Sequence, residues 1–130
     1  MRVTKKPKTI FHECDYYGGF MKHVFEGGSY ELTNMQNEIA GILRELQKWM
    51  EPETVSRNML VPFDKAFIHK EPYGVALIIG AWNYPFLLTL KPLLGAISGG
   101  NCAVVKPSEN SPQTAAKIAE LIPRYLDTVL

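Results

Sequence analysis

VALIIGAWNYPF, Val75 to Phe86, runs from an unbroken apolar stretch into a turn made of an amide between two aromatics and a proline. Val75–Ile79 is a continuous run of strand-forming residues. Such runs belong to strands covered on both faces, as in parallel sheets. A nucleotide-binding turn after such a strand usually carries glycines, because phosphate needs close approach to the backbone. Here the turn carries Trp82, Asn83, Tyr84 and Pro85 instead.

Downstream the pattern repeats. A helix is expected over Pro85–Ser98, with Pro85 suited to its first turn. Phe86, Leu87, Leu88, Leu90, Leu93, Leu94 and Ile97 make it apolar nearly all round, which predicts burial. Pro92 should kink it. Gly99, Gly100 and Asn101 end it. CAVVKP, Cys102–Pro107, reads as a second buried strand. A second helix follows, with Ser111 as its cap, Pro112 at its first position, and Ile118, Leu121, Ile122 and Tyr125 as its apolar stripe. The order is β-α-β-α, which calls for parallel strands joined by a right-handed crossover. Two strands are few for such a sheet, so this half reads as an incomplete Rossmann-like α/β unit with an unpaired apolar edge.

Upstream, Ile39, Ile42, Leu43, Leu46, Trp49 and Met50 recur at steps of three and four. They mark an amphipathic helix that Pro52 stops. Thr33 followed by Gln36 fits a capping box at its start. Trp49 and Met50 fall on the core stripe and read as packing residues. Met59–Gly74 reads as extended segments with turns, and His69 there as a solvent-facing strand residue rather than a base. Residues 1–30 have no long period. His12, Glu13, Cys14, Asp15 and His23 lack the spacing of a metal site and read as a polar loop. No metal is expected. The organisation is therefore 1–30 poorly defined, 31–58 helical, and 59–130 the first part of a truncated α/β domain.

Composition narrows the classes. In 130 residues, 46% are hydrophobic and 21% charged, ordinary for a globular chain. The net charge of +1 gives no electrostatic case for nucleic acid. Two cysteines, Cys14 and Cys102, form no framework, and a reducing compartment suits them. The N-terminus is basic but lacks the apolar core of a signal peptide. Val75–Ile97 is long and apolar enough to raise a membrane span. Gly80, Asn83, Pro85, Lys91 and Pro92 interrupt it, and the same string divides into a strand, a turn and a helix. No membrane segment is indicated.

In open parallel sheets, ligands sit beyond the C-terminal strand ends. GAWNYP and KPSEN occupy those two ends, which places Asn83 on one rim with Lys106 and Glu109. A rigidly held side-chain amide donates to a developing oxyanion without changing protonation. The alternative for Asn83 is a helix cap. Lys106 and Glu109 can grip adjacent sugar hydroxyls, one as donor and one as acceptor. The alternative is a solvated loop pair.

Read together, AWNYPF, LKPLLGAISGGN and CAVVKPSENSP resemble the aldehyde dehydrogenase superfamily, and HKEPYGVALIIGAWNYPF resembles its class 3 branch, the fatty and medium-chain enzymes. The likeness runs roughly from Met35 to Leu126. It implies an α/β cofactor domain, a catalytic domain and a small oligomerisation arm. It implies oxidation of aldehydes to acids with NAD or NADP through a cysteine thiohemiacetal. By motif, Asn83 becomes the oxyanion amide and Lys106 and Glu109 the adenosine-ribose ligands. Gly80, Ala81 and Trp82 lie along the cofactor near its nicotinamide half. The family's nucleophilic cysteine and general-base glutamate belong to segments not found in this sequence. Cys102 falls at a strand residue of the family pattern, where burial would raise its pKa and leave it inert. The chain is thus expected to be inactive alone. The other reading is a non-catalytic product that binds full-length subunits. For the full protein the resemblance implies a homodimer, an aldehyde substrate and a cytoplasmic setting, or the endoplasmic reticulum membrane if a C-terminal tail exists.

Overall fold

A computed structural model describes residues 16–17, 20–21, 30–56 and 65–127. The elements run β1 (Tyr16–Tyr17), β2 (Phe20–Met21), α1 (Thr33–Met50), β3 (Glu53–Thr54), β4 (Phe67–Ile68), β5 (Val75–Ile79), α2 (Leu87–Ser98), β6 (Cys102–Lys106) and α3 (Pro112–Tyr125). β1 pairs antiparallel with β2, and β3 with β4. β5 and β6 pair in parallel, from Val75 against Cys102 to Ile79 against Lys106. The β-α-β-α order and parallel pairing are those expected from sequence.

The sheet has two unlike faces. Ala76, Ile78, Ala103 and Val105 alternate onto the more buried one, and α2 packs against both strands and against α1. Val75, Leu77 and Ile79 are 64%, 67% and 68% exposed on the other, beside Val104 and Cys102. The expectation that VALII is covered on both faces is therefore corrected. A parallel sheet needs a layer on each side, and the described residues supply one. Cys102 is likewise exposed rather than buried, because its register puts it on the uncovered face.

Helix boundaries follow local chemistry, with revisions. The capping box at Thr33 is absent. The backbone already coils through a wide π-type turn over residues 30–32, so Thr33 is helical and the N-cap position falls on Leu32 without a side-chain bond. Asn34 Nδ2 instead donates to the Tyr30 carbonyl at 2.7 Å. On α1, Met35 is buried, whereas Trp49 and Met50 stand exposed and are not core residues. α2 starts at Leu87, two residues later than expected, and runs unbroken through Pro92. It is buried only along a stripe through Thr89 and Leu93, with Leu88 and Ile97 exposed. Gly100, at φ 75°, takes the left-handed conformation that closes it. His69 follows β4 and is exposed. Lys91 and Glu38 form an ion pair at 3.1 Å that ties α2 to α1.

Among the described residues no helix is long and apolar enough to cross a membrane. Among them no cluster of His, Cys, Asp and Glu has the makings of a metal site. The His12, Glu13, Cys14, Asp15 and His23 group lies outside the described residues.

Candidate functional site

The C-terminal ends of β5 and β6 form one rim. The Gly80 N–H donates to the Lys106 carbonyl at 2.9 Å, which extends the ladder one step past β5 and brings the two exits side by side. The strand order has thus brought together the Gly80–Phe86 turn and the Lys106–Asn110 segment.

The turn is restrained at nearly every residue. Gly80 is buried, and a Cβ built there would lie 2.1 Å from Thr89 Oγ1, so only glycine lets α2 approach this closely. Thr89 is fully buried and its hydroxyl donates to the Pro85 carbonyl at 2.6 Å. The Trp82 carbonyl accepts from Ser111 Oγ at 3.4 Å. The rings of Tyr84 and Tyr30 lie 5.3 Å apart at 43°, a favourable tilted pairing. The Tyr84 carbonyl accepts the first helical bond, from the Leu88 N–H at 2.8 Å.

The start of α2 has an unusual cap. Phe86, at the N-cap position, makes no side-chain cap bond. Its N–H and that of Leu87 both donate to Glu31 Oε2, at 3.0 and 2.9 Å. Glu31 is 2% exposed. The orphan amides of a helix start are thus satisfied by a carboxylate 55 positions upstream. Asn83 is exposed. It lies three residues ahead of the N-cap position at Phe86, whose amide Glu31 accepts from.

Ser111 was expected to cap α3. It holds that position, but its side chain makes no cap bond and reaches the Trp82 carbonyl. Its hydroxyl is spent on the turn.

Beyond β6, Lys106 Nζ donates to Glu109 Oε2. Their side chains are 52% and 74% exposed. The hydrogen bond from Lys106, helped by a backbone bond and the lysine's charge, holds the Glu109 carboxyl below its ordinary value. Ala81 and Trp82 are exposed on the same rim. Cys102, by contrast, is the first residue of β6. Four strand steps, roughly 13 Å at about 3.3 Å each, separate it from Lys106, at the opposite end of the sheet.

Sequence reading singled out Asn83, Lys106 and Glu109, and the rim brings the two segments that carry them together. It missed Glu31, Thr89 and the Ser111 bond to Trp82. Glu31 carried no local signal, because its partners are backbone amides brought in by the docking of α1. Thr89 had a weak one, a polar residue on an otherwise apolar helix.

Comparison with known proteins agrees with this geometry. The model of the aldehyde dehydrogenase family matches residues 22–125. Aldehyde dehydrogenase family 3 member B1 of Bos taurus is 51% identical over 106 residues, covering 82% of this chain and 23% of the relative. The Homo sapiens member B1 is 47% identical over 126 residues, 97% of this chain and 27% of the relative. A solved structure, the substrate-bound state of Staphylococcus aureus AldH, superposes with a TM-score of 0.76 at 39% identity, covering 78% of this chain and 22% of the other. The chain therefore spans about a quarter of the length of these relatives. With the parallel βαβα unit and its ordered rim, these matches lead to one conclusion: the chain belongs to the aldehyde dehydrogenase family, on its class 3-like side.

Proposed function

We propose that this segment forms the oxyanion and ribose rim of an NAD(P)-dependent enzyme that oxidises aldehydes to carboxylic acids. The observation that carries the reading is the exposed Asn83, set in a turn whose neighbours on both sides are fixed. An amide acts on an oxyanion only when its geometry is set before charge develops. Asn83 Nδ2 would donate to the oxygen that becomes negative when a thiolate adds to the aldehyde carbonyl. It gives no proton away and needs none back.

Lys106 and Glu109 fit a ribose. Each of two adjacent hydroxyls both donates and accepts, so the pair can insert between an ammonium and a carboxylate already in contact. The exchange costs little, since fully exposed ion pairs contribute little to stability. NAD or NADP, when bound, supplies the hydride acceptor. Trp82 and Ala81 offer exposed surface beside the strand end. The complete protein is proposed as a cytoplasmic homodimer.

The test belongs in a complete enzyme carrying this segment. Asn83→Ala should lower kcat by about 10²–10³-fold, and unchanged turnover removes the role. Lys106→Ala should chiefly weaken dinucleotide binding; an unaltered KM for the dinucleotide contradicts it.

A second reading has its own observation. The uncovered face formed by Val75, Leu77, Ile79 and Val104 suits a non-catalytic product that associates with full-length subunits. Co-elution of the 130-residue chain with such a subunit on size exclusion supports it; separate elution rejects it.

A further inference from the structure

We infer that Glu31 is a positioning residue for Asn83, acting from outside the cofactor unit through the backbone that carries it. The inference rests on the oxyanion reading of Asn83 and adds how its aim is set. Glu31 is almost completely buried, and one oxygen, Oε2, accepts from two successive amides, Phe86 and Leu87. These are the third and fourth residues after Asn83. Tyr30, its chain neighbour, places its ring against Tyr84, the residue next to Asn83. Two adjacent residues of the segment before α1 therefore hold the turn on the C-terminal side of the amide. Ser111, at the start of α3, holds the Trp82 carbonyl on the other side.

The physical logic follows from the caps. The N-cap residue of α2, Phe86, has no polar side chain with which to cap the helix, so the angle between turn and helix depends on groups from other residues. Glu31 supplies the long-range part of that restraint by fixing two amides to one atom. Proline at position 85 narrows the remaining freedom, since its φ is locked. The Thr89 hydroxyl fixes the Pro85 carbonyl. What is left to vary between Trp82 and Pro85 is small, and Asn83 sits in the middle of it. Glu31 itself touches neither substrate nor cofactor in this scheme. Its effect reaches the reaction through the direction in which the Asn83 side chain leaves the backbone.

A purely structural glutamate would affect every property of the domain alike. A positioning glutamate separates them. In a complete enzyme carrying this segment, Glu31→Ala should lower kcat by about 10–100-fold, the cost of a misplacement near 1 Å. The dinucleotide Kd, which depends chiefly on Lys106 and Glu109 on the other segment and only in part on Ala81 and Trp82 ahead of the amide, should weaken by no more than a few-fold, well short of the loss in kcat. Glu31→Gln keeps an acceptor oxygen of the same reach and should restore kcat to within about threefold of the parent. In an Asn83→Ala background, Glu31→Ala should cost no further kcat, because the group it aims is gone. Should Glu31→Ala not fold, Glu31→Asp takes its place, with an acceptor one methylene shorter and the same three expectations.

Parental kcat in whichever of these two variants folds overturns the proposal. So does a loss that adds in full to that of Asn83→Ala, or one matched by an equal loss of dinucleotide binding. The two readings fail differently. Parental kcat in Asn83→Ala alone removes the oxyanion role, and this proposal with it. A full Asn83 effect beside an additive Glu31 effect removes the positioning role only.

Discussion

Gly80 shows how much one absent methyl group decides. A Cβ there would sit 2.1 Å from Thr89 Oγ1 and 3.2 Å from Thr89 Cβ. Gly80→Ala should destabilise the fold by about 1–3 kcal/mol through overpacking, read as a lower thermal midpoint. The loss should shrink when Thr89→Ala is added, because the two sites share one contact. Glu109 carries a second prediction. Its folded-state pKa is depressed, chiefly by the bond from Lys106. The pair's stabilising contribution is therefore fully present above the ordinary glutamate pKa and is lost as pH falls through the depressed value. A carboxyl titration followed by NMR should show Glu109 moving to the ordinary range in Lys106→Ala. No movement would mean that the contact does not persist in solution. At this scale the sequence was informative where chemistry is local. Asn83, Lys106 and Glu109 stand in motifs a few residues long. Glu31 and Ser111 do their work across 55 and 29 positions, through atoms that no nearby residue reveals.

Elements were legible from period and punctuation. The stripe and Pro52 located α1, the run VALII gave β5, and Gly99–Asn101 closed α2. Their environments were not. Periodicity says which residues share a face; it does not say what, if anything, covers that face. For this reason Trp49, Met50, Leu77 and Cys102 were expected inside and stand outside. The capping box at Thr33 failed for a related reason. Thr33 and Gln36 have the right spacing, but the chain enters α1 already coiled, so the threonine never has the extended backbone that a cap requires. α3 has one fully enclosed anchor, Ile118, at 2% exposure, with Leu121 and Ile122 half-buried. Ile118→Ala should therefore cost about 2–5 kcal/mol, most of the stability that α3 gains by packing. A change below about 0.5 kcal/mol in chemical denaturation, the range of neutral surface substitutions, would show that α3 is held by other means.

Across the described residues, Cys102 and the Asn83 amide are at opposite ends of the same sheet. Cys102 begins β6 and the Asn83 turn lies beyond its end. With Cys102 far from the amide, and the family's nucleophile and base in segments not found here, we predict that the 130-residue chain alone shows no aldehyde-dependent reduction of NAD or NADP, measured by absorbance of the reduced dinucleotide. Turnover abolished by Cys102→Ser would contradict this. The long reach of Glu31 has a further meaning during synthesis. The chain leaves the ribosome N-terminus first, at about 5–20 residues per second. Glu31 and α1 are out well before Phe86 and Leu87 appear, so the carboxylate is waiting when its two amides emerge. Ser111 arrives a few seconds later and ties the other side. The turn that carries Asn83 is therefore assembled by parts of the chain made before it and just after it, and its geometry is complete only once the start of α3 has emerged as well.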